Sequence, residues 1–276
     1  MLRGLVVAAL VAVSAAAAAP PAQRAKPGVR HGDGSVTTET KGLLVGQSAG
    51  VRHGDGSVTA RRLVLGHSVR GRAIVAYERG DRSAPVTLVV GVIHGTEPAG
   101  LAVIAQLRRI PLPPHVHLWL VPTVNPDGLA TGTRQNAHGV DLNRNWPTSW
   151  ARNGVPWDGY YSGPHPLSEP ETRAMLAFVK HVKPALTIWY HQPLDVVYGS
   201  DPHVSVLKRY ARLSGLPYRR LPAPPGAATR WQRRHFPRSP AFVVEFPAGR
   251  ISTGTARRNV RAVLELAQGL QPAPRP

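Results

Sequence analysis

The stretch 86-VTLVVGVIHGTEPAG-100 carries the reading of this chain. Its first eight residues form an apolar run rich in β-branched side chains, which at that length predicts a buried strand over 86–93. His94 closes the run, Glu97 follows three residues later, and Pro98 stands where the first residue of a helix belongs. A buried strand that leads into a helix is the unit from which layered α/β folds are built. The imidazole and the carboxylate at its end are also metal donors. With 12 histidines in 276 residues, one His-x-x-Glu pair arises by chance often enough to decide nothing alone.

Outward from this stretch, further strands are expected at 62–66, 73–78, 115–121, 185–190 and 241–246, and helices at 98–109, 169–182, 202–214 and 254–268. Ser168 reads as the cap of the second helix, with Pro170 and Glu171 in its first turn. Alternating strands and helices predict a single α/β domain over 61–270. Its centre is a mixed, mostly parallel twisted sheet flanked by helices. The stretches 122–168 and 218–240 are longer than ordinary connections, which marks them as active-site loops.

The ends of the chain read differently. Arg3, the apolar run Leu5 to Val13 and 14-SAAAAAP-20 have the form of a signal peptide over 1–19, with cleavage near Ala19. Export is the expectation, to a secreted, periplasmic or wall-associated location. No second apolar segment reaches membrane length, so no span is expected after cleavage. Residues 20–60 read as an arm carrying GVRHGDGSVT twice, at 28–37 and 50–59. Two copies are too few for a solenoid, and a tandem duplication accounts for them. Residues 271–276 read as a tail.

The chain has no cysteine, so disulfides are excluded and any metal site must use His, Asp and Glu. That donor set suits catalytic rather than Cys-rich structural zinc. The net charge of +19 and pI of 11.5 favour anionic partners. An Arg- and Ala-rich genome composition is read as the main cause of this charge. The basic pairs are scattered and no nucleic-acid motif is present, which leaves an anionic cell envelope as the expected partner.

Two further residues and a loop complete a pattern. His191 ends the strand 185-ALTIWY-190, and Glu245 lies inside 241-AFVVEF-246. In open α/β sheets, sites form beyond the carboxyl ends of strands. A carboxylate buried in an apolar strand needs a cation, a partner or a catalytic purpose. The loop 134-RQNAHGVDLNRNWP-147 adds guanidinium groups suited to carboxylates and oxyanions.

Together HGTEPAG, NPDG (125–128), RQNAHGVDLNRNWP, His191 and VVEFP resemble the M14-type zinc metallocarboxypeptidases. The similarity is strongest to the bacterial murein peptide amidase branch, whose substrate bond is γ-D-glutamyl-diaminopimelate. It covers about 61–268. The resemblance implies one Zn²⁺ per chain held by His94, Glu97 and His191, with Asp141 orienting His94. It implies Glu245 as general base, Arg134 polarising the scissile carbonyl, and Asn143 and Arg144 gripping a terminal carboxylate. The substrate would be a peptide or muropeptide. It also implies a Tyr on a loop some twenty residues before Glu245, but 221–240 contains none. Tyr218, Arg230, Trp231 and His235 stay open as substitutes. Two other readings stand beside this one. One is a zinc deacylase of the aspartoacylase or succinylglutamate desuccinylase type. The other is a non-catalytic wall- or polyanion-binding protein that kept the fold.

Overall fold

The computed structural model describes residues 60–200 and 202–270. The expected signal peptide, the arm with its repeat (residue 60 apart) and the tail lie outside the described residues. Eight strands form one sheet in the order β1-β2-β4-β3-β5-β8-β6-β7. They are β1 (Arg61–His67), β2 (Ala73–Gly80), β3 (Val86–Val90), β4 (His117–Val121), β5 (Leu186–His191), β6 (Leu194–Gly199), β7 (Tyr218–Arg220) and β8 (Ala241–Pro247). The central run β4-β3-β5-β8 is parallel, as is β6-β7. The pairs β1-β2, β2-β4 and β6-β8 are antiparallel. The sheet is therefore mixed.

Side chains alternate across a strand, so one strand feeds two cores. Val89, Leu118, Leu120, Ile188, Phe242 and Val244 face one core, packed by α1 (Gly100–Leu107), α4 (Val204–Ser214) and α6 (Thr253–Gln268). Leu88, Val90, Trp119, Trp189 and Val243 face the other, packed by α3 (Pro170–Val182) and α5 (Ala228–His235). Helices on both faces bury nearly all of the central parallel strands β4, β3, β5 and β8, which is why these read as unbroken apolar runs. A short α2 (Pro126–Thr131) and a 3₁₀ turn (Leu142–Arg144) lie within 122–168.

Several expectations need correction. β3 pairs only to Val90, and His94 lies four residues beyond it in the loop to α1. Pro98 sits in the turn ahead of α1, not at its first position. Ser168 does not cap α3: Glu169 is the N-cap residue, and the Ser168 hydroxyl donates to its Oε1 (2.7 Å). The stretch 218–240 is not irregular, since it contains β7 and α5. Among the described residues no helix is long and apolar enough to cross a membrane.

Candidate active site

The site forms at the carboxyl ends of β3, β5 and β8. His191, the last residue of β5, is the parallel register partner of Glu245 on β8, so their side chains leave the same face of the sheet. His94 reaches them from the loop after β3. That loop is fixed by hydrogen bonds from Gly91 N–H to Val121 O (2.9 Å) and from Val124 N–H to Val92 O (2.8 Å). It passes so close to α2 that a Cβ on Gly95 would lie 2.0 Å from the Gly128 carbonyl carbon. The NPDG motif builds that support. The Asn125 side chain accepts from Gly128 N–H (2.8 Å) and donates to Arg134 O (3.3 Å), with Pro126 opening α2.

Glu97 bridges the two histidines. Its Oε1 is 2.9 Å from His94 Nδ1 and its Oε2 is 2.8 Å from His191 Nδ1. All three residues are buried, and donor atoms from the three lie within 4.8 Å of one another. Asp141, fully buried, takes the other nitrogen of His94 (Nε2 to Oδ1, 2.9 Å) and also accepts the Asn143 N–H (2.8 Å). A proton on His94 Nε2 leaves Nδ1 with a lone pair, the form a metal needs. Two imidazoles and one carboxylate are the donor set of catalytic zinc, so these residues fit that ion.

The charges favour a cation here. Burial opposes ionisation of Glu97 and Asp141. The histidines around Glu97, and His94, Arg134 and Arg144 around Asp141, nonetheless hold both carboxyls well below the ordinary range. Burial likewise works against a proton on His94, but Asp141 and Glu97 outweigh it and raise its affinity. Glu245 is different. Burial pushes its carboxyl up from the usual value, against the pull of His191, and among the described residues it accepts only a long bond from Leu194 N–H (3.5 Å).

The arginine loop is anchored by apolar residues on either side of its polar ones. Leu142 and Trp146 are fully buried, with Trp146 packed on Trp189 and Trp231 at 6.0 and 5.3 Å between ring centroids. Arg134 donates through Nη1 to Glu97 Oε1 (2.7 Å) and through Nη2 and Nε to Asp141 Oδ2 (3.1 and 3.3 Å). This leaves one N–H on each terminal nitrogen for a ligand. Arg144 donates to its neighbour's carbonyl, Asn143 O (2.9 Å). Asn143 has a task not expected from sequence: its Oδ1 accepts from Ala228 N–H (3.0 Å) and so caps the start of α5.

These residues line one cleft of about 410 Å³, which holds His94, Glu97, Arg134, Asn143, Arg144, His191 and Glu245 together. Asp141 stands behind it. None of the four open substitutes for the missing loop Tyr reaches the cleft. Trp231 is buried and stacked on His235 (4.6 Å), Arg230 donates to Ala223 O (2.9 Å), and Tyr218 lies beside Lys208 with its hydroxyl buried. The phenols that do line the cleft are Tyr160 and Tyr198. Tyr160 is exposed and has the Arg134 and Arg144 guanidinium groups 5.5 and 5.0 Å from its ring. Tyr198 sits on β6. Gln192 was also missed; its position directly after a strand-end histidine and before a proline was the available signal.

The chain is also similar to known proteins. Murein peptide amidase A of Escherichia coli K12 is 31% identical over 153 residues, which is 51% of this chain and 62% of that protein. The chain thus spans about three fifths of the length of that relative. The crystal structure of the murein-tripeptide amidase from Escherichia coli O157 superposes with a TM-score of 0.62 at 25% identity, covering 76% of this chain and 92% of that one. Carboxypeptidase A from Helicoverpa armigera shares the fold (TM-score 0.64, 19% identity, 76% and 68% coverage). The profile of a family described as zinc carboxypeptidase matches residues 56–205, more than half of the 276, and the chain belongs to that family.

Proposed function

We propose that this chain is an exported zinc-dependent metallopeptidase that hydrolyses an amide bond beside a free carboxylate, with a cell-wall peptide as its substrate. One observation carries the reading: the His94, Glu97 and His191 donors, the Glu245 carboxylate and the Arg134 and Arg144 guanidiniums share a single cleft. The murein peptide amidase names of the Escherichia coli relatives, the N-terminal sequence and the +19 charge support the wall peptide.

His94, Glu97 and His191 would hold one zinc, which when bound supplies Lewis acidity and lowers the pKa of water toward about 7. Glu245, whose basicity burial raises, takes a proton from the attacking water and returns it to the leaving amine. Arg134 turns its two uncommitted N–H groups toward the oxygen on which charge develops. Arg144 and the Asn143 Nδ2 hold the substrate's terminal carboxylate. Asp141 keeps His94 in the tautomer that ligates.

The test is a parallel digest of a purified wall tripeptide, an ordinary peptide and N-acyl-aspartate, with metal content measured on the same protein. Cleavage of the wall tripeptide that chelator abolishes and zinc restores is the expected result. Cleavage of N-acyl-aspartate alone would transfer the chain to the deacylases. Absence of bound zinc with no turnover would leave the wall-binding reading. Glu245→Gln should retain zinc and lose roughly 10²–10⁴-fold in kcat; turnover at the wild-type rate would remove Glu245 from the reaction.

A further inference from the structure

The cations scattered along the sequence are gathered by the fold. Residues 202–270 carry 13 lysines and arginines against two carboxylates, and one of those two is the buried Glu245. Residues 60–200 carry 14 against nine. An Arg-rich composition acts on both stretches alike, so it does not account for the missing acids of one.

The excess lies on α4 and α6, which pack side by side. Apolar residues at helical spacing turn one side of each helix inward. Lys208, Arg209 and Arg212 of α4 and Arg257, Arg258 and Arg261 of α6 are left exposed. The start of α6 lies against the end of α4, and the reverse holds at the other end. Arg258 Nε donates to Ser214 O, the last residue of α4 (3.2 Å), and a Cβ on Gly269, just past α6, would lie 3.4 Å from Arg209 Nη1. A cation at a helix C-terminus is favourable in itself, so these two have a structural use. Arg212 and Arg257 have none: neither makes a hydrogen bond or ion pair among the described residues. The one carboxylate on the two helices, Glu265, is paired with Arg261 (2.6 Å).

What this face lacks narrows its partner. The exposed large apolar side chains among the described residues are Val155, Trp157, Tyr160, Leu194 and Leu221, and none belongs to α4 or α6. The face therefore has no ring on which to stack a base and no apolar anchor to sink into a bilayer. It offers guanidinium forks alone, which recognise charge on a backbone. A tetrahedral phosphate can take such forks from two helices at once. We propose that the α4–α6 face binds a linear phosphodiester polymer that carries neither bases nor acyl chains. β7 leads from this face to the cleft: the Lys208 ammonium lies 5.9 Å from the centre of the Tyr218 ring, and Leu221, just after the strand, lines the cleft. A polymer held on α4 and α6 thus keeps the cleft close to the surface that the polymer coats. The binding does not depend on the hydrolytic reading above.

The test follows the anisotropy of a labelled poly(glycerol phosphate) chain as the full-length protein is added at several salt concentrations. Wild type should bind, with an affinity that falls steeply as salt rises. The combined variant Lys208→Ala, Arg212→Ala, Arg257→Ala should bind roughly tenfold more weakly at low salt, and its salt slope should be smaller by about 2. The combination Arg62→Ala, Arg109→Ala, Lys180→Ala removes the same charge from other exposed positions. It should stay within about twofold of wild type. Both combinations should melt near wild type, and Arg257→Glu alone should weaken binding more than Arg257→Ala. Equal losses in the two combinations would make net charge the cause and overturn the face. Tighter binding of single-stranded DNA, poly-glutamate or phosphatidylglycerol vesicles than of the polymer would overturn the partner. Wild type that binds the polymer but cleaves no peptide would end the hydrolytic reading and uphold this one.

Discussion

Asn143 illustrates how one side chain serves both architecture and chemistry. Its Oδ1 is committed to Ala228 N–H at the start of α5, so the Nδ2 is the part left to meet a ligand in the cleft it lines. Asn143→Ala removes both functions and should cost about 1 kcal/mol of stability, as loss of a helix cap does, along with a higher KM for carboxylate-terminated substrates. Asn143→Asp keeps an acceptor at a helix N-terminus, where negative charge is favoured, but removes the donor. It should melt near wild type while its KM rises. Thermal unfolding and steady-state kinetics on the two variants separate the functions, and an unaltered melting temperature in Asn143→Ala would dismiss the cap. Asp141 is a second such residue. It is fully buried and satisfied by His94, Asn143 N–H and Arg134 at once. Asp141→Asn should weaken zinc roughly 10–100-fold, the scale seen when the partner of a ligating histidine is lost. Competition with a chromogenic chelator measures this, and undiminished affinity would show that His94 does not depend on it.

At the scale of elements, α5 and the 3₁₀ turn meet at Gly226. Its φ is +69°, and a Cβ there would lie 2.1 Å from the Arg144 carbonyl oxygen. Gly226→Ala should therefore cost roughly 1–3 kcal/mol. It should also displace the Arg144 backbone, so that affinity for a terminal carboxylate falls together with the melting temperature; a lower melting temperature with unchanged affinity would mean that the turn yields elsewhere. The element boundaries also show what the sequence could and could not reveal. The parallel strands were legible because burial on both faces leaves an apolar run with no polar interruption. β6 was missed because Pro193 precedes it and Asp195, at φ +51°, stands inside it, both of which read as breakers. α5 was missed because 228-ATRWQRRH-235 contains a single large apolar residue and so shows no helical periodicity. Its stability comes from distant partners, the Trp231 contact with Trp146 and the Asn143 cap. The candidate donors could be named because strand-end positions are where such folds build sites. Their convergence could not be read from spacing, since His94 and His191 are brought together by the β3-β5-β8 register and not by any local turn.

For the whole molecule, the absence of cysteine leaves packing, buried ion pairs and a bound metal to hold the loops over the sheet. A ligand that binds only the folded state stabilises it by about 2.7 kcal/mol at a hundredfold excess over Kd, which for a domain of this size is roughly 5–10 °C. Chelator should lower the melting temperature by about that much, and an unmoved transition would mean that the site holds no metal. The ion pairs set a second limit, at low pH. Asp127, with its side chain almost wholly buried, joins the β1–β2 turn to α2 by accepting Arg70 N–H (2.9 Å) and pairing with Arg72 (2.6 Å). Burial alone would push its carboxyl up, yet the Arg70 amide and the Arg72 guanidinium outweigh that and hold it below the usual value. A carboxyl depressed in the folded state adds stability that is fully present above its unfolded pKa of about 3.9 and disappears as pH falls through the folded value. Asp127→Asn should consequently be less stable than wild type at pH 7 by about 1–3 kcal/mol, the scale of a lost charge-assisted bond. The two proteins should converge as the pH drops below about 3.9. Urea unfolding at a series of pH values checks this, and a gap of constant size down to the acid transition would show that Asp127 acts through packing and not through its charge.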